Sequence, residues 1–169
     1  MPDSGNGWFF DTVTLSNFAL AGRLDLLIDR YGRRAQLTPE VLDEVSEGIA
    51  SGHFMLRDIE NAVATGRLGS ALPLSPTERM TYRTLLRSLS PGEASCIVCT
   101  KERGGIVVTD DRAARASCAE FGLAFTGTIG ILKACCQQGA LDPDTADAVL
   151  HTMITAGYRS PVGRISDIL

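Results

Sequence analysis

Apolar positions along this chain fall into two rhythms: brief unbroken runs of three or four residues, and longer stretches in which they recur every three or four positions. The run Gly7-Trp8-Phe9-Phe10 predicts a strand ending at Asp11, and Val13, Leu15, Phe18 and Ala19 then carry helical spacing. Leu24, Leu27, Ile28 and Tyr31 continue it until Gly32, and Arg34 to Leu37 reads as a brief strand. Thr38-Pro39 has the form of an N-cap and first helical position, ahead of a buried face of Val41, Leu42, Val45 and Ile49. A helix is expected over Phe54 to Ala64, and a strand or extended segment over Leu68 to Leu74.

Two helix starts then follow the same grammar: Ser75-Pro76-Thr77-Glu78, with a helix to about Leu89, and Ser90-Pro91-Gly92-Glu93, with a helix to Arg103 before Gly104-Gly105. Ile106-Val107-Val108, β-branched throughout and followed by Asp110-Asp111, reads as a strand buried on both faces of a parallel sheet. Ala113 to Phe121 is predicted helical, Leu123 to Phe125 a strand, and Ile129 to Cys136, Pro143 to Ala156 and Val162 to Leu169 helical. Strands alternating with helices predict a three-layer α/β/α fold around a central, mostly parallel sheet. Without repeats or a linker-like stretch, one domain over residues 1–169 is expected, with residues 1–6 flexible and helices from about residue 142 packed on or extending it.

Composition narrows the setting. Hydrophobic residues make up 44% and charged residues 21%, as in ordinary globular proteins. No apolar run approaches the roughly 20 residues of a membrane span, and the N-terminus lacks the basic start and apolar core of a secretory signal. The five cysteines, at positions 96, 99, 118, 135 and 136, form no even framework and are expected as free thiols in a cytoplasmic protein. The net charge of -4 excludes nucleic-acid binding through overall positive potential, so any such binding must be local. Only Lys101 and Lys133 are lysines, which leaves the cationic work to arginine.

Ligands of parallel sheets bind beyond the carboxyl ends of the strands. Asp11 and Asp110-Asp111 end two strands there, and Glu44 and Glu93 ride on helices able to lean over the same crevice. Crowded carboxylates resist joint ionisation unless a divalent cation neutralises them. An all-oxygen donor set without histidine or thiolate suits magnesium or manganese, and magnesium commonly shares its shell with phosphate. Taken singly, each acid is also an ordinary helix cap. Cys96-x-x-Cys99 lies within a helix without a second pair and reads as core, as does Cys135-Cys136; His53 and His151 have no partner.

Five segments in order resemble the PIN-domain family. Phe10-Asp11-Thr12-Val13-Thr14-Leu15-Ser16-Asn17-Phe18 is similar to its opening strand and Asp-Thr-Ser-Val-Leu segment, and Thr38-Pro39-Glu40-Val41-Leu42-Asp43-Glu44-Val45 to its Pro-x-x-Val-x-x-Glu helix. Pro91-Gly92-Glu93-Ala94, Val107-Val108-Thr109-Asp110-Asp111-Arg112-Ala113-Ala114-Arg115 and Gly127-Thr128-Ile129-Gly130-Ile131-Leu132 resemble segments of one bacterial and archaeal subgroup. The resemblance covers Phe10 to about Leu141. It implies a metal-dependent ribonuclease with Asp11, Glu44, Glu93 and Asp111 as the catalytic acids and magnesium or manganese ligands, Asp110 substituting if the corner is one residue out of register. Beside these acids Thr12 and Thr109 are candidate substrate contacts or, more simply, caps, and Arg112 and Arg115, one helical turn apart, are candidates for the RNA backbone or for a solvated helix face. The resemblance also implies an RNA substrate, a homodimer, and an antitoxin partner if the protein is the toxin of a toxin-antitoxin pair. Many family members carry Asp where Glu93 stands, which bears on the second metal position. The alternative is a non-catalytic PIN-fold module that binds protein or RNA. A haloacid-dehalogenase-like phosphatase is opposed by Val13, where a second acid belongs, and a receiver domain by the want of a lysine after a late strand.

Overall fold

A computed structural model describes residues 6–169. Residues 1–5, most of the start expected to be flexible, lie outside the described residues. Five short strands form one sheet in the order β3-β2-β1-β4-β5: β1 (Trp8–Phe10), β2 (Ala35–Leu37), β3 (Gly69–Ser70), β4 (Ile106–Val108) and β5 (Phe125–Thr126). Every pairing is parallel, with Trp8 opposite both Ala35 and Ile106, and Phe10 opposite Val108. The strand order turns back on itself at β1, and its junction with β4 is where a crevice opens beyond the carboxyl ends.

Helices cover the sheet on both faces, giving the expected three-layer α/β/α arrangement. They are α1 (Thr12–Leu20), α2 (Asp25–Tyr31), α3 (Pro39–Ala50), α4 (Arg57–Ala64), α5 (Pro76–Leu85), α6 (Pro91–Arg103), α7 (Arg112–Glu120), α8 (Thr128–Gln137) and α9 (Pro143–Thr155). The strands bury Phe9, Phe10, Ala35, Leu37, Val107 and Val108 between those layers. Helix α6 is the most enclosed, with Ala94 through Thr100 all buried against α3, α5, α7 and the sheet. Cys96 and Cys99 are therefore core residues with thiols pushed upward by burial, and all five cysteines are free. Among the described residues no helix is long and apolar enough to cross a membrane.

The structure departs from the expected elements where a side chain or turn takes over a backbone bond. Helix α5 stops at Leu85, not Leu89, because Ser90 and Pro91 already begin α6 and the intervening turn lays Leu89 into the core. Leu123 is spent on closing α7, donating its N–H to the Cys118 carbonyl at 2.9 Å, so β5 begins at Phe125. The predicted helix over Phe54 to Ala64 opens as a 3-10 turn at Phe54–Leu56. No α-helix forms over Val162 to Leu169, which keeps only a 3-10 turn at Ser166–Ile168. There Asp147 of α9 captures the Ser166 N–H at 3.0 Å, the Ser166 hydroxyl at 2.7 Å and Arg164 Nε at 3.1 Å, satisfying groups a helix would need.

One ion pair fastens α5 to α6. Glu78, 6% exposed, receives Arg103 Nε and Nη2 at 2.8 Å each while its Oε1 also caps Ser75 N–H at 2.8 Å. Arg103 in turn donates to the Leu72 and Pro73 carbonyls at 3.0 and 3.1 Å. Arg103 foremost holds the Glu78 carboxyl down at about 2. A depressed carboxylate stabilises the fold above its unfolded value near 4.5 and loses that contribution as pH falls through about 2. Glu78→Gln is expected to cost about 2 kcal/mol at pH 7 and to flatten the acid limb of the stability curve, as read by urea unfolding across pH.

Candidate active site

Asp11 follows β1 directly, and its backbone N–H extends the sheet by donating to the Val108 carbonyl at 2.9 Å. Its side chain caps α1, Oδ1 accepting from Thr14 N–H at 2.8 Å, while Oδ2 accepts from the Thr109 hydroxyl at 2.5 Å. The carboxyl is 1% exposed. Burial raises its pKa to about 7 against the opposing effect of the Thr109 and Thr14 hydrogen bonds, and neighbouring Asp110 pushes the same way as burial.

Glu44 reaches from the middle of α3 across the mouth of the crevice. Oε1 accepts from the Thr12 hydroxyl and Oε2 from the Gly92 N–H at 3.0 Å, so one carboxylate joins α3 to the first turns of α1 and α6. Gly92 is obligatory for this approach, since a Cβ there would lie 2.2 Å from Glu44 Oε1.

Glu93 is the third residue of α6 and completes a capping box with Ser90, its Oε1 accepting from Ser90 N–H at 3.2 Å. Its Oε2 is buried and, among the described residues, meets no hydrogen-bond donor. Burial raises the pKa of Glu93, and adjacent Asp111 raises it further. Asp111 caps α7 through Oδ2, which accepts from Ala114 N–H at 2.8 Å.

Asp110 turns the other way. Its Oδ1 accepts from Thr128 N–H at 2.8 Å, and its Oδ2 accepts from the Thr128 hydroxyl and, at 3.3 Å, from Asn17 Nδ2. Thr14 Oγ1 at 3.4 Å and Arg115 Nη2 at 3.8 Å complete its surroundings. Thr109 links the groups, donating to Asp11 and accepting from Asp111 N–H at 3.1 Å. Arg115 Nε donates to the Thr109 carbonyl at 2.9 Å, and Arg112 is exposed.

All five predicted acids thus gather along the carboxyl edge of the sheet, but as neighbouring pairs rather than one cluster. Asp11 adjoins Asp110, Glu93 adjoins Asp111, and Glu44 is bound to Thr12 and Gly92. Among the described residues no three acidic, histidine or cysteine side chains stand close enough together to hold one ion. The donor chemistry nonetheless fits a hard divalent cation: every group is a carboxylate, and a buried oxygen of Glu93 wants a partner. Sequence reasoning missed Asn17 and gave no role to Gly92, Gly127 or Thr128. All four sit inside the quoted motifs, but the partner of Asn17 lies 93 positions away, so its role is not a local one.

A family model described as PIN domain matches residues 8–169, which is nearly the whole chain. No curated protein matches the sequence.

Two outcomes test the site. Asp11 binds its proton more tightly folded than unfolded, so between pH 4 and pH 7 the metal-free protein must lose stability as pH rises, by roughly 2–4 kcal/mol. Asp11→Asn should flatten that slope in chemical denaturation, leaving the part due to Glu93, and make the metal-free protein more stable at pH 8. Gly92→Ala forces Glu44 off the α6 amide and should cost about 1–3 kcal/mol, seen as a lowered Tm, with Glu44→Gln in the same range and the double variant less than additive.

Proposed function

The chain belongs to the PIN-domain family, and we propose that it is a metal-dependent ribonuclease that hydrolyses RNA phosphodiesters at the carboxyl edge of its sheet. PIN domains are generally nucleases and typically use divalent metals. The observation that carries the reading for this chain is the unspent carboxylate chemistry at that edge: the partnerless buried oxygen of Glu93 against Asp111, and a buried Asp11 whose proton is retained to about pH 7. Such an arrangement opposes its own ionisation, and a divalent cation relieves the conflict.

We assign Asp11, Glu44, Glu93 and Asp111 to hold magnesium or manganese directly or through water, the bridging waters spanning the gaps between acids that do not converge on one point. When bound, such an ion supplies Lewis acidity, lowering the pKa of a water and neutralising charge on the phosphate and leaving oxygen. The chain's own residues prepare the site. Thr109 and Thr14 fix the two oxygens of Asp11, and the Thr12 hydroxyl and Gly92 amide fix Glu44. We assign Arg112 and Arg115 to the RNA backbone, each a planar fork suited to phosphate. Asp110 turns both oxygens toward Thr128, away from Asp111 and Glu93, and we assign it to positioning Thr128 and α8. The toxin of a bacterial toxin-antitoxin pair, in the cytoplasm and with an antitoxin masking the acidic edge, is the setting we assign on family analogy alone.

A second reading, a PIN-fold module that binds RNA or protein without cleaving, is favoured by the same carboxylates being tied up as caps and by their division into pairs. Manganese calorimetry beside cleavage of a mixed RNA pool separates the two. The nuclease reading expects wild type to bind manganese and cut RNA, and Asp11→Asn to lose at least about 100-fold in cleavage, a barrier change of about 2.7 kcal/mol. Wild-type protein that binds no metal and cuts nothing sinks it.

A further inference from the structure

Beside the acidic edge, beyond Asp110, lies a hollow of about 640 Å³, a size that suits a nucleotide-scale ligand. It is walled by the first turn of α7, by β5, by the start of α8 and by the segment that follows α9. Three guanidinium groups, Arg112, Arg115 and Arg159, face it in a chain whose net charge is -4. Asp110 is the one acid in its wall, and Thr128 and Asn17 already occupy its oxygens. Arg112 and Arg159 are exposed and enter no ion pair or side-chain hydrogen bond among the described residues. Surface arginines of this kind, uncompensated and convergent, describe an anion site.

The remaining walls specify which anion. Phe125, an aromatic residue on the edge strand, is 39% exposed, and the Arg115 guanidinium lies 5.4 Å from its ring centre. Arg115 is itself held in place by the Thr109 carbonyl. Gly127 permits that placement, for a Cβ there would lie 2.3 Å from both Arg115 Nη2 and Asp110 Oδ1. Being a glycine, it adds no side-chain cap of its own, and with Thr128 N–H taken by Asp110 at 2.8 Å the next amides of the first turn of α8, at Ile129 and Gly130, lie at the hollow. Tyr158 closes the inner wall, its hydroxyl pKa pushed up by burial and by Asp110.

We infer that this hollow is a subsite for one nucleotide of single-stranded RNA adjoining the cleaved bond, its base stacked on Phe125 and its phosphate held between Arg112, Arg115 and Arg159. The inference rests on the nuclease reading for the bond's location but concerns groups outside the acid set. A base must be unpaired to lie on an aromatic ring, which selects single strands over duplex. Because Asp110 belongs both to the hollow and to the acidic edge, a strand gripped here runs directly toward Asp11.

The test is fluorescence anisotropy of a labelled eight-nucleotide single-stranded RNA in EDTA, so that binding is read without cleavage. Phe125→Ala and Arg159→Ala are expected to weaken binding about 10-fold each, within the range for loss of one stacked base or one charge-assisted contact. Arg159→Ala should also make the salt dependence shallower by about 0.7 in log-log slope. Arg83→Ala, the same charge change on α5, should bind as wild type, and equal Tm values check that the variants fold. Failure of wild type to bind, or Phe125→Ala and Arg159→Ala binding within twofold of it, overturns the subsite. Cleavage in manganese by wild type with unaltered binding in both variants removes the subsite and keeps the nuclease. Weakened binding in both variants without any cleavage by wild type keeps the subsite and removes the nuclease.

Discussion

The parallel pairing of β1 with β4 is the constraint on which the rest depends. Because Phe10 lies opposite Val108 and the Asp11 amide bonds the Val108 carbonyl, the chain leaves both strands at the same level. Asp11 therefore meets Thr109 across the junction, though 98 positions separate them. Each strand leads directly into a helix, α1 after Asp11 and α7 after Asp111, so the acids arrive as caps of those helices. Slipping the register by one residue would turn each side chain of the slipped strand toward the opposite helical layer and part Asp11 from Thr109.

This economy explains why capping and catalysis are poor rivals as accounts of the same carboxylates. Asp11 caps α1, Glu93 caps α6 and Asp111 caps α7, each engaging one oxygen with a helix amide or with its own cap residue. A carboxylate has a second oxygen. For Asp11 it goes to Thr109; for Glu93 it is buried and unmet. Helix N-termini favour negative charge, which lets the fold concentrate acids here, but burial and mutual repulsion hold Asp11 and Glu93 back from ionising. A local conflict of this kind, in a structure otherwise consistent from propensity to packing, is where function is to be sought.

Much of this was legible in the sequence. The β-branched Ile106-Val107-Val108 run, the apolar Trp8-Phe9-Phe10 run and the three Ser/Thr-Pro helix starts are local signals with local causes, and each element stands where its signal lies. The elements that slipped answer to distant or competing partners: β5 lost Leu123 to the closure of α7, and the C-terminal residues yielded their helix to Asp147. Within the site, the gathering of acids at one edge was legible because strand ends and helix starts are. Their division into pairs was not, since it depends on Thr128 and Asn17 drawing Asp110 away, and on Gly92 admitting Glu44.

The opposed turns of Asp110 and Asp111 also bear on how an acidic protein approaches a polyanion. With Asp111 directed to Glu93 and Asp110 to Thr128, the negative edge is bounded on one side by residues that carry Arg112 and Arg115. At physiological ionic strength charges beyond about 8 Å are largely screened, so an RNA strand at this edge would respond to the boundary more than to the net charge of -4. On the proposed reading, phosphate would settle on the arginine side and its neighbour along the strand would pass over the acids, where a bound divalent cation would offset the repulsion. Cation and substrate would then be coupled by electrostatics alone, the cation lowering the repulsion that phosphate meets and phosphate adding to the attraction the cation feels, with no movement of the fold.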